Sequence, residues 1–387
     1  MYERFSIYNG GVKLYFGLEV IGNLKKHLKG HKKLLIVSGK RSADVSGAFP
    51  ELRKILDEIG VEYVRYMGVK PNPTDDVVEE IKKLYLDEGC DGIVAIGGGS
   101  PIDSAKAARV LIAGGGTIKE YLYGLRKIPG NQPPLYAINL THGTGTEIDR
   151  YSVVTITETR EKIGFGPGYP TASIDDPSYL VTLPVNQTRY TALDAFAHAV
   201  ESSTSSLSSP YSRLLSREAI ALIVKYLPVA VENPGDLEAR YWLLYASMIA
   251  GIAIDHGVTQ LGHGLEHVLS GLKPELPHGA GLAILYKELI RHFYKERPAE
   301  MKYVLESLDP SLRPVPEDAD KAQEAFNKFL EKIGFNETLS TYGFTKEDVD
   351  EIVRLLYETN LRKRYEPLTP YGLPDKEYLK QLILKLL

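Results

Sequence analysis

Short apolar runs alternate with amphipathic stretches through the first half of the chain. Lys33–Gly39 (KLLIVSG) is an unbroken β-rich run and predicts a buried strand. Pro50–Gly60 predicts a helix closed by glycine. Val61–Tyr66 predicts the next strand, and Pro71 and Pro73 break the chain beyond it. Asp75–Glu88 predicts a helix with Thr74 as its cap. Asp75 and Asp76 favour its positive end, and Val77, Ile81 and Leu84 form its expected apolar stripe. Gly92–Ile96 and Leu135–Asn139 predict further strands, with a helix opening between them after Gly97–Ser100 and Pro101 at its first position. This rhythm predicts a parallel, layered α/β sheet.

After about Pro184 the texture changes to long helical stretches: Arg189–Ser206, Tyr211–Val231, Leu237–Leu269, Ala280–Tyr294, Glu317–Ile333, Lys346–Glu358 and Lys376–Leu386. Glycines within the third suggest two helices. A chain of 387 residues exceeds one ordinary hydrophobic core. The expected architecture is an α/β N-terminal Rossmann-like domain with a parallel sheet over residues 1–183. An all-helical domain is expected over 184–387, with the boundary within 182–188.

Composition narrows the class. Hydrophobic residues make up 43% and charged residues 25%, an ordinary globular balance. The net charge of -4 gives no reason to expect a nucleic-acid partner. His31-Lys32-Lys33 and Arg362-Lys363-Arg364 are short basic clusters that solvated positions explain. Cys90 is the single cysteine, so no intrachain disulfide can form, and it reads as a small buried hydrophobe. Met1-Tyr2-Glu3-Arg4 has no apolar signal region, and no run reaches the length of a membrane span. A cytoplasmic enzyme without a membrane partner is expected.

Two polar loops come directly after predicted strands. Gly97-Gly98-Gly99-Ser100 leaves one strand and enters a helix, and the exposed N–H groups of such a helix start suit a pyrophosphate. It is neither a Walker loop nor Gly-x-Gly-x-x-Gly. Thr141-His142-Gly143-Thr144-Gly145-Thr146-Glu147 comes after Leu135–Asn139 and offers uncharged hydroxyls at the same sheet edge. A structural turn and a capped surface loop are the plainer readings of each.

Of nine histidines, five lie between 198 and 278. Asp194 and His198 are four apart on a predicted helix and share a face; His263 and His267 repeat the spacing. His278 falls in a turn between Pro277 and Gly279. A carboxylate with two or three imidazoles suits Fe²⁺, Zn²⁺, Co²⁺ or Ni²⁺ and leaves a position for a substrate oxygen. The alternative is a set of unrelated core or surface histidines. His-Glu-x-x-His is absent, since Gly264 follows His263. His256 reads as a satisfied core residue, with a place in the cavity lining as the alternative, and His27, His31 and His292 as peripheral.

GGGSPIDSAKA (Gly97–Ala107), THGTGTEIDRYSVVT (Thr141–Thr155), LDAFAHAVES (Leu193–Ser202), LGHGLEHVLSG (Leu261–Gly271) and LPHGAGLAIL (Leu276–Leu285) occur in that order. In these segments the chain resembles the iron-containing, or group III, alcohol dehydrogenases, which share a superfold with glycerol dehydrogenases and dehydroquinate synthase. The resemblance implies metal ligands at Asp194, His198, His263 and His278. It places His267 near nicotinamide and substrate, as the candidate for proton relay or cofactor contact. It implies cofactor binding by Gly39, Lys40, Ser42, Gly97, Gly98, Gly99, Ser100, Asp103, Thr141, His142, Thr144 and Lys162. It further implies Fe²⁺, with Zn²⁺ the alternative, and a homodimer or larger homo-oligomer acting on small alcohols or aldehydes.

Some residues depart from the family pattern. His142 stands where a small residue is usual, and the stretch between His263 and His278 is one residue longer than in some relatives. Where NAD-preferring relatives often carry an aspartate, this chain has Gly39 followed by Lys40, Arg41 and Ser42. A missing carboxylate beside cations accommodates a 2'-phosphate, so NADP is expected over NAD. The expected reaction is reversible hydride transfer between an alcohol and an aldehyde or ketone. A polyol dehydrogenase such as a glycerol dehydrogenase, or a lyase of the dehydroquinate-synthase type, are the rivals. Ser100 speaks against the former, where the glycerol enzymes tend to have lysine. The lyase would need a cationic pocket that the sequence does not point to.

Overall fold

The computed structural model describes residues 5–387. Contacts divide it into two compact units. One contains the described residues up to Thr141, Gly145–Pro184 and Pro234–Leu244; the other contains His142–Thr144, Val185–Asn233 and Tyr245–Leu387.

The first unit is built on a seven-stranded sheet. Its strands are β1 (Phe5–Asn9), β2 (Val12–Phe16), β3 (Lys33–Ser38), β4 (Glu62–Tyr66), β5 (Gly92–Gly97), β6 (Leu135–Asn139) and, after a separate antiparallel ribbon of β7 (Ser152–Thr155) and β8 (Lys162–Phe165), β9 (Ala172–Asp175). The order is β1-β2-β9-β6-β5-β3-β4, parallel except for the β1–β2 pair. Leu34–Val37, Ile93–Ile96 and Leu135–Ile138 are almost wholly buried, as central parallel strands covered on both faces must be. Ala105, Ala107 and Ala108 of the helix Gly99–Gly114 are fully buried, and their small side chains let it pack closely between β5 and the helix Asp75–Asp87.

Register fixes where ligands can bind. Ser38 pairs with Ile96, Gly97 with Asn139, and Asn139 with Asp175. The carboxyl ends of β3, β5, β6 and β9 are therefore level. Gly39, the glycine turn and Thr141 leave the sheet along one edge, the edge at which open parallel sheets bind ligands.

The expected β3, β4, β5 and β6 are present, but several local expectations change. Thr74 does not cap its helix through its side chain: the hydroxyl donates to Asp76, whose carboxylate takes the Val77 N–H at 2.9 Å. The buried stripe of that helix is Val78, Ile81 and Tyr85, with Val77 and Leu84 only partly covered. Gly98 is the cap of the next helix, so Pro101 is its third residue, still within the turn where a missing N–H costs nothing. Burial raises the Cys90 thiol to about 11, in keeping with an inert apolar role.

Among the described residues every strand lies in the first unit. The second is helical, with Val185–Thr204, Pro210–Glu232, the later part of Leu237–Gly257, Leu261–Leu272, His278–Glu296, Pro298–Leu305, Ala319–Lys332, Val349–Glu358, Asn360–Tyr365 and Lys376–Leu384. The long apolar stretch after Leu237 is indeed two helices, broken at Val258–Gln260, where Val258 takes φ +54°. His278 is the first residue of its helix, not part of the preceding turn. No helix of the described residues is long and apolar enough to cross a membrane.

One buried feature of the first unit has a pH consequence. Glu147 is fully buried and neither carboxylate oxygen has a hydrogen-bond partner. Burial and the nearby Asp175 push its pKa well above the usual range. Burial likewise raises Asp175 to about 7, against a single stabilising bond from Asn139 Nδ2 at 3.0 Å. Acids whose folded pKa is raised bind protons more tightly when folded, so their contribution to stability falls as pH rises from the unfolded carboxylate range through about 7. Glu147→Gln should therefore stabilise the protein at pH 8 by roughly 1–3 kcal/mol and by much less near pH 5. Urea unfolding at the two pH values checks it; a gain of the same size at both would contradict the pairing.

Candidate metal and dinucleotide sites

The helix Val185–Thr204 presents Asp194, His198 and Glu201 on one face, at i, i+4 and i+7. The helix Leu261–Leu272 presents His263, Glu266 and His267, and His278 begins the next helix. Asp194 Oδ1 lies 3.5 Å from His198 Nε2, 3.6 Å from His263 Nε2 and 3.5 Å from His278 Nε2. A single carboxylate oxygen thus faces three imidazole nitrogens, at distances too long for good hydrogen bonds. The His198 and His263 rings stack at 4.6 Å between centroids. Asp194 Oδ1 and His263 Nε2 are buried atoms with no hydrogen-bond partner. Two orphaned buried atoms, with the Nε2 atoms of His198 and His278 converging on the same oxygen, fit a divalent cation between them.

Each of the three imidazoles is held from behind. His198 Nδ1 lies 3.3 Å from the Gly143 carbonyl, His263 Nδ1 lies 2.9 Å from Glu201 Oε1, and His278 Nδ1 meets Glu266 Oε2. These partners are acceptors, so each Nδ1 carries a proton, and in the neutral form of each ring Nε2 turns its lone pair to the centre. Glu201 Oε1 also accepts from the His263 N–H at 3.0 Å and the Tyr286 hydroxyl at 2.8 Å, and Oε2 accepts the Gln260 N–H. Glu266, His267 and His278 also bring ligand atoms together. One carboxylate oxygen of Glu266, Oε2, is engaged with His278 Nδ1.

Electrostatics follow the geometry. Burial by itself would raise the Asp194 carboxyl, but the imidazoles of His198, His278 and His263 outweigh it and hold it below the usual range. Burial pushes His198 down to about 4. Burial acts the same way on His263, but Glu201 and Asp194 more than reverse it and lift the imidazole to about 9. The low carboxyl and the neutral His198 are in the state that cation binding requires, and a bound cation would take the place of the second proton of His263.

His142 is buried, with Nδ1 3.1 Å from Thr191 Oγ1, whose hydroxyl in turn donates to the Gln187 carbonyl at 2.9 Å. A Cβ on Gly143 would come within 2.9 Å of Thr191, so glycine is needed for residues 142–144 to lie against that helix and for the Gly143 carbonyl to reach His198. The loop thus supports the His198 imidazole. His267 sits beside the cluster, its ring 6.4 Å from that of His263 and 5.8 Å from that of His278. His256 is exposed and packs on Tyr211 rather than in the core. His292 is buried against Tyr371 and Tyr378, not peripheral, and burial lowers it to about 4.

In the first unit the glycine turn leaves no room for side chains. A Cβ at Gly97, where φ is +157°, would lie 2.5 Å from Pro101, and one at Gly98 would lie 2.7 Å from Thr141. Gly98, Gly99 and Ser100 are partly exposed at the start of the helix Gly99–Gly114, whose first-turn N–H groups have no acceptor within the helix. Thr141 is tied to the same edge by its N–H, which donates to Asn139 Oδ1 at 3.0 Å. Thr144 is partly exposed.

Asp103 is engaged by the protein itself: Oδ1 accepts from the Thr146 hydroxyl at 2.7 Å and Oδ2 from the Val153 N–H at 2.9 Å. Lys162 is buried on β8 and donates to Asn72 Oδ1 at 3.0 Å. Lys40, Arg41 and Ser42 are exposed just past β3, and Gly39 is half-buried.

The residues that sequence reasoning missed are Glu201, Glu266, Tyr286 and Tyr365. The two glutamates carried a usable signal, since Glu201 lies seven residues after Asp194 and Glu266 three after His263. The tyrosines carried none, being distant in the chain.

Comparisons with known proteins agree along nearly the whole chain. The family model described as iron-containing alcohol dehydrogenase matches residues 11–177, and the model for the C-terminal part of that family matches 188–372. The long-chain primary alcohol dehydrogenase AdhA of Thermoanaerobacter ethanolicus is 41% identical over 352 residues, covering 89% of this chain and 88% of its own. The 1,3-propanediol dehydrogenase of Klebsiella pneumoniae is 32% identical, covering 86% and 88%. Among solved structures, NADH-dependent butanol dehydrogenase A of Thermotoga maritima superposes with a TM-score of 0.89 at 31% identity over 98% of each chain. An archaeal halo-thermophilic alcohol dehydrogenase from a Red Sea brine pool gives a TM-score of 0.91 at 27% identity over 100% of each.

Proposed function

The chain belongs to the iron-containing alcohol dehydrogenase family, and from that premise we propose that it is a metal-dependent enzyme interconverting primary alcohols and aldehydes, with NADP as its preferred cofactor. The observation that carries the reading is the meeting of Asp194 Oδ1 with three imidazole nitrogens within 3.6 Å. Asp194, His198, His263 and His278 would hold Fe²⁺, with Zn²⁺ the alternative. When bound, such an ion lowers the pKa of an alcohol and polarises a carbonyl, and the nicotinamide carries the hydride.

The protein's own residues bind and orient. Glu201, Glu266 and the Gly143 carbonyl keep the imidazole lone pairs aimed inward. Gly97–Ser100 offers helix-start N–H groups to a pyrophosphate, and Thr141, His142 and Thr144 line the neighbouring loop. Asp103 is engaged by Thr146 and Val153, and Lys162 adds positive charge near Asp103. His267 is the proposed proton-relay or cofactor-contact group.

The NADP preference rests on Gly39, Lys40 and Ser42, where no carboxylate opposes a 2'-phosphate and Asp44 is paired with Arg65 at 2.8 Å. A Cβ at Gly39 would make only ordinary contacts, 3.4 Å to the Val69 carbonyl and 3.7 Å to Ser42 Oγ. Gly39→Asp should thus fold normally and shift the NADP/NAD ratio of kcat/KM toward NAD by about 10-fold or more, since each 1.4 kcal/mol is tenfold. An unchanged ratio would displace the 2'-phosphate pocket from this loop.

The central test is chelation. Metal-stripped protein should lose cofactor reduction with a panel of primary alcohols and regain it with Fe²⁺ or Zn²⁺. Full activity without any metal would defeat the reading.

A further inference from the structure

Four imidazoles crowd this centre, and the partner behind each one divides them into two kinds. Behind His198, His263 and His278 stand acceptors: the Gly143 carbonyl, Glu201 and Glu266. Behind His267 stands a hydroxyl, Tyr365, with its oxygen 2.9 Å from His267 Nδ1. Resting on the proposed ligand set, we propose that Tyr365 places the proton of His267 on Nε2, which keeps His267 off the ion and leaves it as a hydrogen-bond donor beside it. Tyr365 is in this sense a positioning residue for His267.

A buried phenol must find an acceptor. Tyr365 is 3% exposed, and among the described residues His267 Nδ1 is the only hydrogen-bond partner of its hydroxyl. If Nδ1 carried the proton, the phenol O–H would be buried with no acceptor. The phenol therefore donates, Nδ1 accepts, and the neutral ring must hold its proton on Nε2. A protonated Nε2 has no lone pair to give a cation. Burial raises the pKa of Tyr365, so the hydroxyl keeps its proton across the working range. Without this lock, His267 could join Glu266 and His278, whose ligand atoms lie within 4.8 Å of its own, in a competing ligand set.

The tyrosine is held firmly. A Cβ on Gly264 would come within 3.0 Å of its ring, which accounts for glycine directly after His263. The Thr369 N–H donates to the Tyr365 carbonyl at 3.1 Å, the Ser206 N–H to the Leu368 carbonyl at 3.0 Å, and the Tyr371 hydroxyl to Gln260 Oε1 at 3.2 Å.

Two-bond ¹H–¹⁵N correlation spectra of ¹⁵N-histidine-labelled protein, metal-free and Zn²⁺-loaded, read the tautomer directly. His267→Gln identifies the signal. The expected result is a single Nε2–H form for His267 in the wild type and a mixture of tautomers in Tyr365→Phe. Should Tyr365→Phe not fold, the wild-type spectrum decides alone. An Nδ1–H form in the wild type, or an Nε2–H form unchanged in Tyr365→Phe, overturns the inference. A Co²⁺ titration separates its failure from that of the ligand reading. Tight Co²⁺ binding that survives Asp194→Asn defeats the ligand set, and with it the exclusion of His267 from the ion.

Discussion

Asp194→Asn should lower metal affinity by more than about 100-fold, beyond the 10- to 100-fold typical of losing an outer orienting group, and abolish alcohol oxidation with it. The substitution preserves size and shape but removes the one charge toward which three Nε2 atoms point, each within 3.6 Å of Oδ1. Three imidazoles would then face a neutral amide, with nothing inside the shell to offset a divalent charge. Metal content after dialysis, measured beside circular dichroism, separates loss of the ion from loss of the fold. Glu201→Gln offers an internal scale, since it weakens the hold on His263 but leaves every proposed ligand in place. Metal retained at wild-type stoichiometry in Asp194→Asn would mean that the ion, if any, sits elsewhere.

Lys106→Met should lower the thermal midpoint by roughly 6–20 °C, the shift that about 3–5 kcal/mol produces in a unit of this size. Lys106 is completely buried. Its ammonium donates to Thr146 Oγ1 at 2.8 Å, Asp149 Oδ1 at 3.1 Å, and the carbonyls of Asp149 at 2.9 Å and Tyr151 at 2.7 Å. Methionine fills similar volume yet strands Asp149 in the interior, where a carboxylate without its cation is costly. Lys83→Met provides the control, because its partner Asp87 and itself are well exposed, and no measurable shift is expected there. Equal behaviour of the two variants would show that the buried pair contributes nothing beyond packing.

Legibility in the sequence depended on the range of the interactions involved. β3, β5 and β6 were legible because buried parallel strands are written as unbroken apolar runs. β7, β8 and β9 were not, because four-residue strands such as Ser152–Thr155 carry too little pattern to separate from loop. The aspartate and histidines shared helical spacing, but spacing alone could not say that three nitrogens would meet one oxygen. The groups holding those imidazoles were harder still. Glu201 could be found by counting along its helix, whereas Gly143 reaches His198 from 55 positions away and Tyr365 reaches His267 from 98. Thr74 failed as a cap because the Asp76 carboxylate takes the Val77 N–H that its hydroxyl oxygen would have accepted, an outcome that only side-chain geometry decides.

The docking of residues 365–371 near His267 has a practical side. Arg362 and Lys363 are exposed and Arg364 is partly so, immediately ahead of Tyr365. A trypsin-like protease cutting after Arg364 would sever the tail from the body of the helical unit while sparing Asp194, His198, His263 and His278. The clipped enzyme would migrate as a slightly shorter band and could still carry its ion, yet the phenol behind His267 would be kept in place by packing and hydrogen bonds alone. Preparations that match by metal assay should therefore also be compared on a gel before their turnover is compared.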